Sequence, residues 1–140
     1  MSKMSNHEEE CPECGKSQEV VVWHSINVDL DATLRERLFA AEINQFECSF
    51  CGYETFLGAP LLYHDMTRQF TVQYYSPSLL DDPEGMFQSY DVKGMLDSRS
   101  WPNDKMKGHY MTMPHVVFDM NEMQRYILFR EFLHSRGEET

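Results

Sequence analysis

The sequence predicts an α+β fold: a zinc ribbon with a helix inserted between its two Cys-x-x-Cys knuckles, an extended antiparallel sheet and a C-terminal helix. Three observations carry this expectation. Cys11-Pro12-Glu13-Cys14-Gly15 and Cys48-Ser49-Phe50-Cys51-Gly52 state one pattern twice. The 33 residues between Cys14 and Cys48 (positions 15 to 47) exceed the roughly 15–20 of a minimal ribbon, and they read first as a strand and then as a helix. Near the end, Met120 to Arg136 carries apolar side chains at helical spacing.

Each element has a local reason. Met1 to Glu10 is polar and closes on Glu8-Glu9-Glu10, so residues 1–10 are expected to form a flexible acidic tail. Residues 11–140 are expected to form a single zinc-binding domain. Val20 to Trp23 is a β-branched and aromatic run, and Ile26, Val28 and Leu30 alternate with polar neighbours, which predicts a strand continuing past Ser25. Asp31 is a suitable N-cap for a helix over Ala32 to Glu42, where Leu34, Leu38 and Ala41 form one stripe. Ile43 to Glu47, Glu54 to Leu57, Leu61 to His64 and Gln69 to Tyr75 read as strands, separated by Gly58-Ala59-Pro60 and Asp65 to Arg68.

Residues 76–114 are less regular, broken by Ser76-Pro77, Asp82-Pro83, Lys93-Gly94, Trp101-Pro102-Asn103 and Lys107-Gly108. Phe87 to Val92 is the one strand expected there. His115 to Phe118 is a strand or linker. Asp119 with Glu122 resembles a capping box for the final helix, which Gly137 is expected to stop.

Composition narrows the function classes. The chain has 140 residues, 41% of them hydrophobic, which is globular rather than disordered. Acidic side chains number 23 against 12 basic, a formal charge of −11. That field repels a phosphate backbone, so nucleic acid is not an expected partner, and it disfavours anionic membranes equally. No run approaches the roughly 18 apolar residues of a membrane span. The polar N-terminus does not read as a secretory signal, which predicts a cytoplasmic location.

The chemistry lies in Cys11, Cys14, Cys48 and Cys51. A two-residue gap turns both sulfurs of a knuckle toward one point, and the glycine that follows admits a left-handed turn. Two knuckles then offer four thiolates in a tetrahedron, which suits one Zn²⁺ ion. Iron in a rubredoxin-like site is the rival, since two such knuckles also serve iron; the intervening amphipathic helix speaks against that small fold. Dithiol redox chemistry fits less well, because Cys11 follows a polar segment and precedes a strand rather than opening a helix. Four sulfur ligands leave no open position for water, so the metal is expected to be a structural staple, and no catalytic residue is assigned.

These residues resemble the CPXC domain family of bacterial and archaeal proteins. The likeness is carried by Cys11-Pro12-Glu13-Cys14-Gly15, then Trp23, Ser25, Ile26, Asn27, Asp31, Leu34 and Leu38, then Cys48 to Glu54 and Pro60 to Met66. His115-Val116-Val117 and Asn121-Glu122 extend it into the last helix. The resemblance implies zinc binding and implies no particular activity.

Other residues weigh less. His64 beside Asp65 could serve as an acid or base, but strand neighbours point to opposite faces, so a packed His64 and a turn-forming Asp65 are expected instead. His24 has the same standing, and Asn27 is expected to hold a turn. Trp23, Tyr63, Tyr74 and Tyr75 are expected in the core before any ligand face. Met120, Met123, Phe129 and Phe132 make the last helix more apolar than one buried face requires. The predicted function is therefore a non-enzymatic zinc module offering that helix to a protein partner or to a second copy of itself. An iron electron-transfer protein, or an enzyme using His64 or His24, is the alternative.

Overall fold

The computed structural model describes residues 2–88, 90–96 and 109–138. Seven strands and three α-helices appear among them: β1 (Lys3–Glu10), β2 (Ser17–Asn27), α1 (Ala32–Phe39), β3 (Gln45–Glu47), β4 (Glu54–Phe56), β5 (Leu61–Asp65), β6 (Phe70–Tyr74), α2 (Pro83–Phe87), β7 (His115–Val117) and α3 (Met120–Glu138). Five strands form one sheet in the order β1-β2-β5-β6-β7, and β3 with β4 forms a separate hairpin. The α+β class is as expected.

Two features of the expected architecture are corrected. Residues 3–10 are no loose tail, because Lys3–Glu10 pairs antiparallel with β2 from Lys3↔Ser25 to Glu10↔Ser17. The strand is held by backbone pairing at the sheet edge, with polar side chains in solvent on both faces, so no apolar alternation marks it. The sheet is also mixed rather than antiparallel: β2 runs parallel to β5, and β6 runs parallel to β7. Parallel neighbours need a crossover of a dozen or more residues. The α1 and β3–β4 segment is the first crossover, and the chain between Tyr74 and His115 is the second.

Within that second crossover, the expected strand Phe87 to Val92 does not form. Phe87 ends α2, capped by Asp82 and opened by Pro83, and Tyr90 makes only an isolated bridge to Leu96. The turns at Trp101-Pro102-Asn103 and Lys107-Gly108 lie outside the described residues.

α1 is shorter than its apolar stripe suggests. Glu42 N–H donates to Arg37 O (2.9 Å) and Ala41 N–H to Leu38 O (3.2 Å), a Schellman ending with Ala41 in the left-handed region at φ 59°. No glycine announces that stop. Asp31 precedes α1 without a side-chain cap. Asn27 fulfils its expected turn role instead, its Oδ1 accepting from Asp29 N–H (3.1 Å) and Leu30 N–H (3.3 Å).

α3 begins as read, with Asp119 Oδ1 accepting from Asn121 N–H at 2.7 Å. It runs through Gly137, which does not end it. Leu34 and Leu38 of α1 join Ile26, Tyr63 and Val72 of the sheet and Met123 and Ile127 of α3 in one core. Each such side chain, fully buried, contributes roughly 1.5–3 kcal/mol. Arg35 clamps the two helices together, donating from Nε and Nη2 to the Glu131 carboxylate, both at 2.8 Å. No helix among the described residues is long and apolar enough to cross a membrane.

Candidate metal centre

Each knuckle is the tip of a hairpin. The first joins β1 to β2 and the second joins β3 to β4. Their backbones repeat one geometry. Gly15 N–H donates to Cys11 O (2.8 Å) and Gly52 N–H to Cys48 O (2.9 Å); Cys11 N–H reaches Lys16 O (2.9 Å) and Cys48 N–H reaches Tyr53 O (2.7 Å). Gly15 and Gly52 sit at φ 76° and 81°, a left-handed turn that a side chain would strain.

The two tips meet. All four Sγ atoms lie within 4.8 Å of one another. Cys11 to Cys51 and Cys14 to Cys48 are both 3.6 Å apart. A disulfide would need about 2.05 Å, and all four thiols are free. Metal–sulfur bonds of about 2.3 Å in a tetrahedron give an edge of about 3.8 Å, so the donor set fits a tetrahedral thiophilic ion. Cys11 and Cys48 are buried against Phe46, while Cys14 and Cys51 face solvent.

The thiols already favour charge unevenly. Cys48 is lowered to about 6: burial opposes the thiolate, but N–H groups of Cys51 and Phe50 and the thiols of Cys14 and Cys51 outweigh it. Cys51 is raised to about 12, since burial and contacts with the other three thiols outweigh the Tyr53 N–H that favours its thiolate. A bound cation would displace the remaining protons, because the thiolate is the ligand.

Two residues that sequence reading passed over dock one hairpin on the other. Gln18 of β2 donates from Nε2 to Glu47 O (2.9 Å), and its Oε1 accepts from Ser49 N–H (2.9 Å). Asn44, buried and left-handed at φ 55°, accepts from Trp23 N–H through Oδ1 (2.7 Å) and donates from Nδ2 to Trp23 O (3.0 Å). It occupies the place that a neighbouring strand would fill beside β2. The only sequence signal was a pair of polar residues, Asn44 and Gln45, between apolar Ile43 and Phe46.

The remaining candidates lie apart from the thiols. His64 is 9% exposed, with Nε2 at 2.6 Å from the Tyr110 hydroxyl. Asp65 turns away from it to accept from Arg68 N–H (2.8 Å) and Nη1 (2.9 Å), so it does not orient that imidazole. His24 is exposed and pairs with the Ser5 hydroxyl at 2.6 Å. Tyr63, Tyr74 and Tyr75 are buried, so they form no open aromatic face with Trp23.

No curated protein and no solved structure matches the chain. The family model described as CpXC protein matches residues 10–134, which include both knuckles, the strands from β2 to β7 and most of α3. The paired knuckles and this match over nearly the whole length together place the chain in the CpXC family.

Proposed function

We propose that the protein is a structural zinc module in which Cys11, Cys14, Cys48 and Cys51 hold one Zn²⁺ ion, and that it acts through a protein-interaction surface rather than by catalysis. The observation that carries the metal reading is the meeting of four free thiols at two hairpin tips. Two knuckle-bearing hairpins facing each other is the arrangement of a zinc ribbon, here with α1 placed between them in the chain. Four sulfur ligands leave the ion no open position, so it would act as a cross-link. Residues from distant parts of the sequence would be tied at one point, and binding energies of roughly 10–16 kcal/mol would make the tie part of folding. A reducing compartment, such as the cytoplasm, would keep the thiols available.

Elemental analysis of the purified protein tests this. One zinc per chain in a colourless preparation is expected, with chelation lowering the melting temperature. One iron per chain and a red colour would assign the site to electron transfer instead. A chain without metal, whose stability ignores chelators, would remove the proposal. Cys48→Ser should lose the metal and unfold the β3–β4 hairpin.

A further inference from the structure

The outward face of α3 carries the strongest unexplained feature. Leu128, Phe129, Phe132 and Leu133 are 50%, 53%, 57% and 45% exposed. They lie on one side because positions 128, 129, 132 and 133 are separated by one, three and four residues. Met123 and Ile127 on the opposite side bind the helix to the core. The apolar strip is thus additional to what folding uses.

Its charged frame is mostly basic between Arg125 and Arg136, with exposed Glu122 one turn before Arg125. Arg125 and Arg136 stand at the two ends of the strip, each on its outward side by helical spacing. From Tyr126 to Gly137 the helix has one carboxylate, Glu131, and Arg35 holds it. Among the described residues no ion pair engages Arg125, Arg130 or Arg136. Beside the strip runs a cleft of about 370 Å³ lined by Arg68, Tyr126, Phe129, Arg130, Leu133 and His134. The charged side chains in that lining are arginines, Arg68 paired with Asp65 and Arg130 donating to the Tyr126 hydroxyl, on a chain whose net charge is −11.

From this we infer that α3 docks an acidic, amphipathic helical segment of another protein, whose apolar face covers Phe129 and Phe132 while its carboxylates meet the exposed Arg125 and Arg136. The inference rests on the interaction-module reading and names the partner's chemistry. A second copy of this chain fits less well. Antiparallel self-pairing centred on the strip sets Arg125 opposite Arg136 of the other copy, and parallel pairing sets each arginine near itself. Both arrangements bring like charges together in a desolvated contact, which disfavours them.

The test titrates the ¹⁵N-labelled, metal-loaded chain with two synthetic 18-residue helical peptides. Both carry leucine and phenylalanine on one face; one flanks that face with glutamate and the other with lysine. The glutamate peptide should shift the amides of residues 125–136 and bind at least tenfold more tightly than the lysine peptide. Replacing Arg125 and Arg136 together by glutamate should reverse that preference. Phe132→Ser should weaken both peptides, with metal content and circular dichroism unchanged. Equal binding of the two peptides, or no shift on α3 at millimolar peptide, overturns the inference. So does a dimer that Phe132→Ser converts to monomer. Metal content measured on the same sample separates the outcomes: one zinc without peptide binding removes the acidic partner alone, whereas absent metal removes the module reading itself.

Discussion

Replacing Asn44 tests whether side-chain docking helps bring the two knuckles together. Asn44→Gly keeps the left-handed backbone and deletes both contacts to Trp23, at 2.7 and 3.0 Å. The N–H and C=O of Trp23 then face the β3–β4 hairpin without partners. A partly buried group left unsatisfied costs about 1–2 kcal/mol, so the loss should be about 2–4 kcal/mol. Asn44→Ala deletes the same contacts but keeps a β-carbon at φ 55° without the side-chain amide that helps asparagine adopt that region, so it should lie about 1 kcal/mol below the glycine variant. Against a typical stability of about 5–15 kcal/mol, both variants should still fold when metal is present. Urea denaturation of the metal-loaded protein measures the first effect. Competition with a chromophoric chelator measures the second, and metal affinity should fall because binding must now also order the hairpin. If Asn44→Gly lies within about 0.5 kcal/mol of the wild type and holds metal equally well, then Asn44 is not the fastening described above.

Other outcomes follow from the same structure. Ala41→Gly should stabilise the protein by about 1 kcal/mol, since the Schellman turn places Ala41 at φ 59° and glycine adopts that region freely; a lower melting temperature would contradict it. Ile127→Ala should cost about 2–5 kcal/mol, whereas Phe132→Ala, with that side chain 57% exposed, should stay within about 0.5 kcal/mol in thermal unfolding. A double-mutant cycle on Arg35 and Glu131 should give a coupling of about 1–2 kcal/mol, more than an exposed pair, because the contact is bidentate and partly buried. Burial holds His64 below its ordinary value of 6.5. The unfolded chain therefore takes that proton first, so the stability from neutral His64 is complete above about 6.5 and is lost as pH falls through the folded value. An NMR titration of the imidazole with a midpoint above 6.5 would refute this.

What the sequence made legible was local chemistry. Cysteine spacing and the following glycine state the knuckles outright, because few other conformations aim two sulfurs at one point. The stripes of α1 and α3 were readable in part from helical period: Leu34, Leu38, Met123 and Ile127 are buried accordingly, while Ala41, read into the same stripe, lies beyond α1 and is exposed. Pairings that depend on distant partners left no such mark. β1 is recognised only through β2, and the parallel registers Ile26↔Tyr63 and Gln73↔Val116 follow from how the crossovers pack. Asn44 and Ala41 adopt left-handed backbone without being glycine, so the turns that end α1 and launch β3 were invisible to composition. In the candidate site the four clustered cysteines were legible and the amides that align their hairpins were not. An amide that imitates a strand looks, in sequence, like any polar residue in a loop.

The first strand has a consequence beyond the metal site. β1 shields the outer side of β2 along its length, yet its own far side presents unpaired backbone groups, the kind of border onto which another chain can crystallise strand by strand. Glu8, Glu9 and Glu10 sit on that border, packed closely enough in sequence that a stacked copy would confront three carboxylates with three more. Charge on an edge strand is a common means of stopping such growth. These charges should therefore keep the sheet from extending into fibrils, while replacing the three glutamates by threonine should open a route to aggregation that leaves the core and the thiol cluster untouched.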